Sequence, residues 1–197
     1  KSHVNLAAMR VWERSHVFEH SWETVVEAAM NKYPNPMFNG VLSQDVVSRS
    51  VSEDGILRTH RLFGLLFTGV VHRLTNLGFY RQFNSLIDLD VDVWYGSEHT
   101  MVDPRARSYL LHSKNITFSR GITLEERLEY KPHPDNPTGR TVLQQSARIC
   151  CPWWPIGGLV ETILEDFVYD RMAAKGPRAI EWVIANRIAD TTADASS

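Results

Sequence analysis

Arg107–Cys151 reads RSYLLHSKNITFSRGITLEERLEYKPHPDNPTGRTVLQQSARICC, and this stretch decides the fold. It divides into strand-like segments separated by turn chemistry. Arg107–Phe118 stops near Ser119-Arg120-Gly121. Ile122–Lys131 stops at Pro132-His133-Pro134-Asp135-Asn136-Pro137, a dense turn cluster. Arg140–Cys151 stops at Pro152. Short consecutive strands joined by turns predict an antiparallel meander.

Working outward, Val91–Val102 predicts a further strand ending at Asp103-Pro104-Arg105. Val41–Val51 and Ile56–Phe63 predict a hairpin across Glu53-Asp54-Gly55, where glycine supplies a positive φ at no steric cost. In the second of these strands Arg58 and His60 share one face, Thr59 and Arg61 the other. Met9–Phe18 predicts the first strand. Ser21 then reads as a helix N-cap, with Glu23 in the first turn where the helix dipole favours an anion. Trp22, Val25, Val26 and Ala29 follow at helical spacing. Pro34 and Pro36 end that helix near Lys32-Tyr33.

Gly64–Leu89 is apolar at helical intervals but broken by Gly69 and Gly78. It predicts a short helix inside a long excursion, of the kind that forms lids and binding loops. Gly158 to about Ala189 is helical in pattern, with Leu159, Ile163, Leu164, Phe167 and Val168 on one stripe and Ile180, Val183 and Ile184 resuming it. Gly176-Pro177 must kink or split this helix. The expected fold class is α+β: a curved antiparallel sheet of seven strands, its concave face covered by a long C-terminal helix, with a cavity between them. Met9 looks like a natural start. Residues 1–8 are accordingly read as a leader, 9–189 as a single domain and 190–197 as a flexible tail.

The composition is that of one ordinary globular domain: 197 residues, 43% hydrophobic and 22% charged. A formal net charge of −2 gives no global field for nucleic acid. No apolar run reaches the roughly 20 residues of a spanning helix. Lys1–Ala8 lacks the apolar core of a secretory signal and is not an Arg-rich transit helix. The two cysteines, Cys150 and Cys151, are adjacent, which suits neither a disulfide framework nor a metal site.

His16 and His20 straddle a strand-to-helix junction and no metal site is expected. There is no nucleophile elbow, phosphate-cradling glycine loop or dinucleotide fingerprint. Glu125, Glu126 and Glu129 lie in one strand and read as its solvated face, so no catalytic residues and no cofactor are assigned. Asn115-Ile116-Thr117 matches a glycosylation sequon but reads as plain strand. The cations say more. Lys32 ends the first helix, Arg58 and Arg61 lie on the strand before the excursion, and Lys175 precedes the kink. Fixed cations at a cavity suit a phosphate oxyanion. Phe63, Leu65, Leu66, Phe67 and Val70 would give a lid an apolar tip for a bilayer, flanked by Arg73 and Arg81 for anionic headgroups. Trp153-Trp154 is a second aromatic candidate.

Asn31-Lys32-Tyr33-Pro34-Asn35-Pro36-Met37 resembles the YPNP signature of PRELI-family proteins, and it follows an opening strand and helix as theirs does. Leu57–Leu62 resembles the family's strand before the lid, and Met101-Val102-Asp103-Pro104 its hairpin turn. Asn115–Pro134 is similar above all to the slowmo-like branch. Ala174-Lys175-Gly176 and Ile180–Ile184 match the closing helix, although Pro177 departs from it. The resemblance implies a START/PITP-like helix-grip fold around a lipid pocket. It implies a carrier of phosphatidylserine or phosphatidic acid across the mitochondrial intermembrane space, the slowmo-like branch favouring phosphatidylserine. It implies transient contact with anionic membranes and a small helical-hairpin partner with twin Cys-x9-Cys motifs. Lys32, Arg61 and Lys175 fall at basic family positions, so the expected headgroup contacts are Lys32, Arg58, Arg61 and Lys175. No enzymatic activity is expected.

Overall fold

A computed structural model of the protein describes residues 9–38, 40–66, 93–152, 157–168 and 174–194. The elements run β1 (Arg10–Phe18), α1 (Trp22–Met30), β2 (Val41–Val51), β3 (Leu57–Leu66), β4 (Val93–Asp103), β5 (Ser108–Asn115), β6 (Thr123–His133), β7 (Asn136–Cys150), α2 (Gly157–Val168) and α3 (Lys175–Asp194). The strands form one antiparallel sheet of order β1-β7-β6-β5-β4-β3-β2. Consecutive strands from β2 to β7 are neighbours, and β1 closes onto β7. This is the expected meander, and the helices cover one face of it.

Several boundaries differ from the sequence expectation for identifiable reasons. β6 and β7 run into the proline-rich cluster so far that Pro134 and Asp135 alone form the turn. A register shift between Pro132 and His133 accommodates prolines at the hairpin tip. The expected long C-terminal helix splits into α2 and α3. Pro177 falls in the first turn of α3, where a missing N–H breaks no intrahelical bond. α3 continues to Asp194, past the expected start of a tail at residue 190, since no Gly or Pro interrupts it.

The largest correction concerns the excursion. β3 does not stop at Phe63 but continues to Leu66, with Phe63 opposite Gly96, Leu65 opposite Trp94 and Leu66 opposite Val93. Phe63, Leu65 and Leu66 are therefore sheet residues and not a lid tip. Gly64 does not break the strand, because it sits where a Cβ would meet Ser43 Oγ at 3.0 Å and the Tyr95 ring at 3.4 Å. Phe67, Val70, Arg73, Arg81, Trp153 and Trp154 lie outside the described residues, as do residues 1–8 and 195–197.

Two apolar clusters fill the concave side. One lies under α2 and joins Leu65, Trp94, Leu124, Ile149, Val160, Leu164 and Phe167. The other lies under α1 and α3 and joins Phe18, Trp22, Val25, Tyr109, Leu128, Tyr130, Leu143 and Ile180. Ser21 caps α1 by accepting from Thr24 N at 3.3 Å, and Trp22 Nε1 donates to the Tyr130 carbonyl at 3.1 Å. α2 is fastened by buried Glu161, which accepts from Cys151 N at 2.8 Å. A Cβ on Gly157 would come within 2.1 Å of the Cys151 carbonyl, so the chain enters α2 too closely for any other residue. β2, at one sheet edge, exposes Leu42, Val46, Val47 and Val51.

Asn115 is buried and uses its whole amide. Its Nδ2 donates to the carbonyls of Thr117 and Ile122 at 2.8 and 2.9 Å, and its Oδ1 accepts from Leu124 N at 2.8 Å. A glycan on this amide would be incompatible with the fold. Asn115→Ala strands a buried backbone N–H and is expected to lower stability by about 2–4 kcal/mol. The check is a fall in urea midpoint with an unchanged m value.

Candidate functional site

The inward face of the sheet carries an unusual row. Strand register sets Arg61 opposite Glu98, Glu98 opposite Ser113, and Ser113 opposite Glu126. All are buried, with Arg61 7%, Glu98 8%, Ser113 7% and Glu126 8% exposed. The row crosses four strands between the two apolar clusters. Arg61 Nη1 lies 3.9 Å from Glu98 Oε1.

The Lys32-Tyr33-Pro34-Asn35 segment crosses above this row. Asn31 caps α1, its Nδ2 donating to the Glu27 carbonyl at 2.8 Å, and Lys32 follows directly. Asn35 then ties the loop down. Its Nδ2 donates to the Ala179 carbonyl of α3 at 2.9 Å, and its Oδ1 accepts from Met37 N at 2.8 Å. Phe38 plugs into the cluster under α2, with the Tyr33 ring 5.8 Å away. The signature segment is thus a clamp between α1, α3 and the sheet. Its result is Lys32 Nζ 5.0 Å from the Tyr33 ring centre, in the wall of a cavity that Glu98 and Glu126 also line.

A cavity of about 50 Å³ lies here, walled by Lys32, Tyr33, Phe63, Glu98, Glu126 and Gln145 among others. Phe63 is held against it because Gly96 opposite has no Cβ; one there would overlap the Phe63 ring at 2.3–2.9 Å. Two buried polar atoms make no hydrogen bond among the described residues: Arg61 Nε in the row and Gln145 Oε1 in the cavity wall.

Of the expected headgroup cations, Lys32 lines the cavity with Glu98 and Glu126, and Arg61 stands in the row beside Glu98 without itself lining the cavity. Lys175 opens α3 beside Gly176, which lines the cavity, but is not itself in its wall. Arg58 is a correction. Strand alternation puts it on the opposite, exposed face, in a groove with His60, His99, Met101 and His112. The reading of Glu125, Glu126 and Glu129 as one solvated face is also corrected. Glu126 shares parity with Leu124 and Leu128 and points inward, while Glu125 and Glu129 pair outward with Lys114 and Lys131 at 2.9 and 2.6 Å. That parity was the available signal for Glu126. Glu98 had a similar one, alternating with buried Trp94 and Val102. Among the described residues no group of three potential ligands forms a metal site.

The electrostatics follow from burial. Desolvation raises the Glu126 carboxyl to about 7, against the pull of Lys32 and with the push of Glu98. Glu98 is also raised by burial, opposed by Lys32 and Arg61. Burial draws the Lys32 ammonium down, but Tyr33, Glu98 and Glu126 together outweigh it and hold its proton more tightly than usual. Burial raises Tyr33, with Lys32 opposing.

These directions fix a pH dependence. The folded protein binds the Glu126 and Glu98 protons more tightly than the unfolded chain does. Their contribution is therefore most favourable below the ordinary glutamate pKa and is lost as pH rises toward about 7. The raised Lys32 acts only at alkaline pH, outside this window. Stability is expected to fall by roughly 1–3 kcal/mol between pH 5 and 8 on account of Glu126. Glu126→Gln should flatten that slope, measured by urea unfolding at each pH.

Comparison with known proteins places the chain. It is 35% identical over 141 residues to the UPS-like protein C36.10 of Schizosaccharomyces pombe, covering 72% of this chain and 70% of that one. It is 28% identical over 142 residues to the mitochondrial protein UPS2 of Saccharomyces cerevisiae, covering 72% of this chain and 57% of that one. It is 28% identical over 174 residues to the mitochondrial PRELI domain-containing protein 1 of Gallus gallus, covering 86% and 74%. In fold alone it is similar to the Zhui aromatase/cyclase of Streptomyces sp. R1128, with a TM-score of 0.59 at 11% identity, covering 91% of this chain and 96% of that one. TTHA0849 of Thermus thermophilus gives 0.58 at 12% identity, covering 90% and 99%. The seven-stranded antiparallel sheet covered by C-terminal helices is thus a fold shared with these two proteins. Residues 23–190 match the profile of the PRELI-like family, and the chain belongs to that family.

Proposed function

We propose that this protein is a phospholipid carrier, taking an anionic phospholipid, with phosphatidylserine favoured and phosphatidic acid an alternative cargo, between the outer and inner mitochondrial membranes. The observation that carries the reading is the polar row under Lys32, sunk between two apolar clusters at a cavity. A carrier must hide acyl chains from water, at about 0.8 kcal/mol per CH₂ group. It must also offer cations to a phosphate that leaves water. Lys32 and Arg61 supply the second need and the flanking clusters the first. Membership of the PRELI-like family and the mitochondrial relatives support the cargo class and the compartment, here taken as the intermembrane space. A small twin Cys-x9-Cys helical hairpin is proposed as partner, on the family resemblance.

The cavity sets a mechanical condition. At about 50 Å³ it holds a few waters, at ~10–15 Å³ each, and not two acyl chains. Uptake requires the helices and sheet to part. That small volume also favours a second reading, an adaptor of the same fold whose cavity is vestigial. Raised, buried carboxyls are what an enzyme of this architecture would need too. The two cations beside them and the family match weigh for a carrier.

Liposome-to-liposome transfer of labelled phosphatidylserine, phosphatidic acid and phosphatidylcholine separates these readings. The protein is tested alone and with its coexpressed hairpin partner. The expected result is selective movement of an anionic lipid, at least tenfold slower in Lys32→Glu and Lys32→Gln variants that keep the wild-type circular dichroism. A folded protein that moves no lipid even with the partner moves the assignment to the adaptor.

A further inference from the structure

A phosphate alone does not explain the inner row. A headgroup bearing only negative charge would be served by Lys32 and Arg61 and repelled by two carboxylates beside them. Yet Glu98 and Glu126 are in-register members of the same row, both 8% exposed. Gln145 adds an independent sign. It is 3% exposed, lines the same cavity, and its Oε1 is a hydrogen-bond acceptor that receives no donor. Gln145 stands opposite Leu128, two residues from Glu126 on the same inward face. The cavity therefore presents an excess of acceptors: two carboxylates and an unused amide oxygen.

We propose that Glu98, Glu126 and Gln145 Oε1 form a subsite that reads the ammonium group of the headgroup. The proposal rests on the carrier reading and sharpens it. A primary ammonium has three N–H donors, matching the three acceptors. An ammonium already shares this cavity with the acids, since Lys32 lines it together with Glu98 and Glu126. Loading is then an exchange. The lipid ammonium takes the place of Lys32 beside Glu98 and Glu126, and Lys32 turns to the phosphate. Arg61 stays with Glu98. A lipid without an ammonium offers nothing in exchange, and Lys32 remains held by the acids.

Transfer by the wild-type protein is measured for phosphatidylserine, phosphatidylethanolamine, phosphatidic acid, phosphatidylcholine and N-acetyl-phosphatidylserine, whose amine can no longer protonate. Phosphatidylserine is expected to move at least tenfold faster than its N-acetyl form, and phosphatidylcholine, which has no N–H, poorly. Glu126→Gln and Glu98→Gln should each lower the ratio of phosphatidylserine to phosphatidic acid transfer at least fivefold. Glu129→Gln, on the outer face, should leave the ratio unchanged. Equal transfer of phosphatidylserine and its N-acetyl form, or preference for phosphatidic acid, overturns the ammonium subsite while the carrier reading stands. The wild-type comparison decides this even where a variant fails to fold. Transfer of no lipid at all removes the carrier reading and this inference with it.

Discussion

The burial of Arg61, Glu98, Ser113 and Glu126 side by side is the constraint on which the rest of the interior depends. Taking a carboxylate out of water costs on the order of several kcal/mol even after relaxation. Here two are buried in one row with only Ser113 between them, and Arg61 meets Glu98 only at 3.9 Å. A sheet built for stability alone would put Leu or Val in these places, as it does at Leu124 and Leu128 on either side of Glu126. The row thus withholds stability from the fold. It also divides the concave space, because neither apolar cluster can close over it.

Lys32 answers that constraint, and the segment around it is built to deliver the answer. Pro34 stops α1 so that Lys32 leaves the helix at the level of the row. Asn35 spends both ends of its amide, one on α3 and one on its own loop. Pro177 lets α3 begin where Ala179 can accept that bond, since a proline in the first turn forfeits no helix hydrogen bond. Two stretches distant in sequence, Pro34-Asn35 and the start of α3 at Pro177, therefore act together to set Lys32 in the cavity that the two acids line. The same arrangement is a reservoir of unsettled charge and unmet hydrogen bonds, of the kind expected where a protein awaits a ligand.

The outer face shows the opposite economy of charge. Glu125 with Lys114 and Glu129 with Lys131 are exposed pairs, each contributing little to stability. Arg58 belongs to this surface. Glu125 and Glu126 are adjacent in sequence and chemically identical. One is a solvated partner of a lysine with a lowered pKa, the other a buried acid raised to about 7. The difference is one step of strand alternation.

The sequence by itself determined the strand and helix order, the cap at Ser21, the proline stop after Lys32 and the meander of β4 to β7. These are local matters: periodicity, turn chemistry and the missing N–H of proline act over a few residues. It also determined parity, which residues of a strand share a face. What only the tertiary structure decided is which parity faces inward and which residues of different strands meet. That is why Arg58 entered the expected site and Glu98, Glu126 and Gln145 did not. It is also why Phe63, Leu65 and Leu66 were read as a lid when pairing with β4 makes them sheet. Register is set by hairpin geometry and by what covers the sheet, and no window of a single strand contains that information.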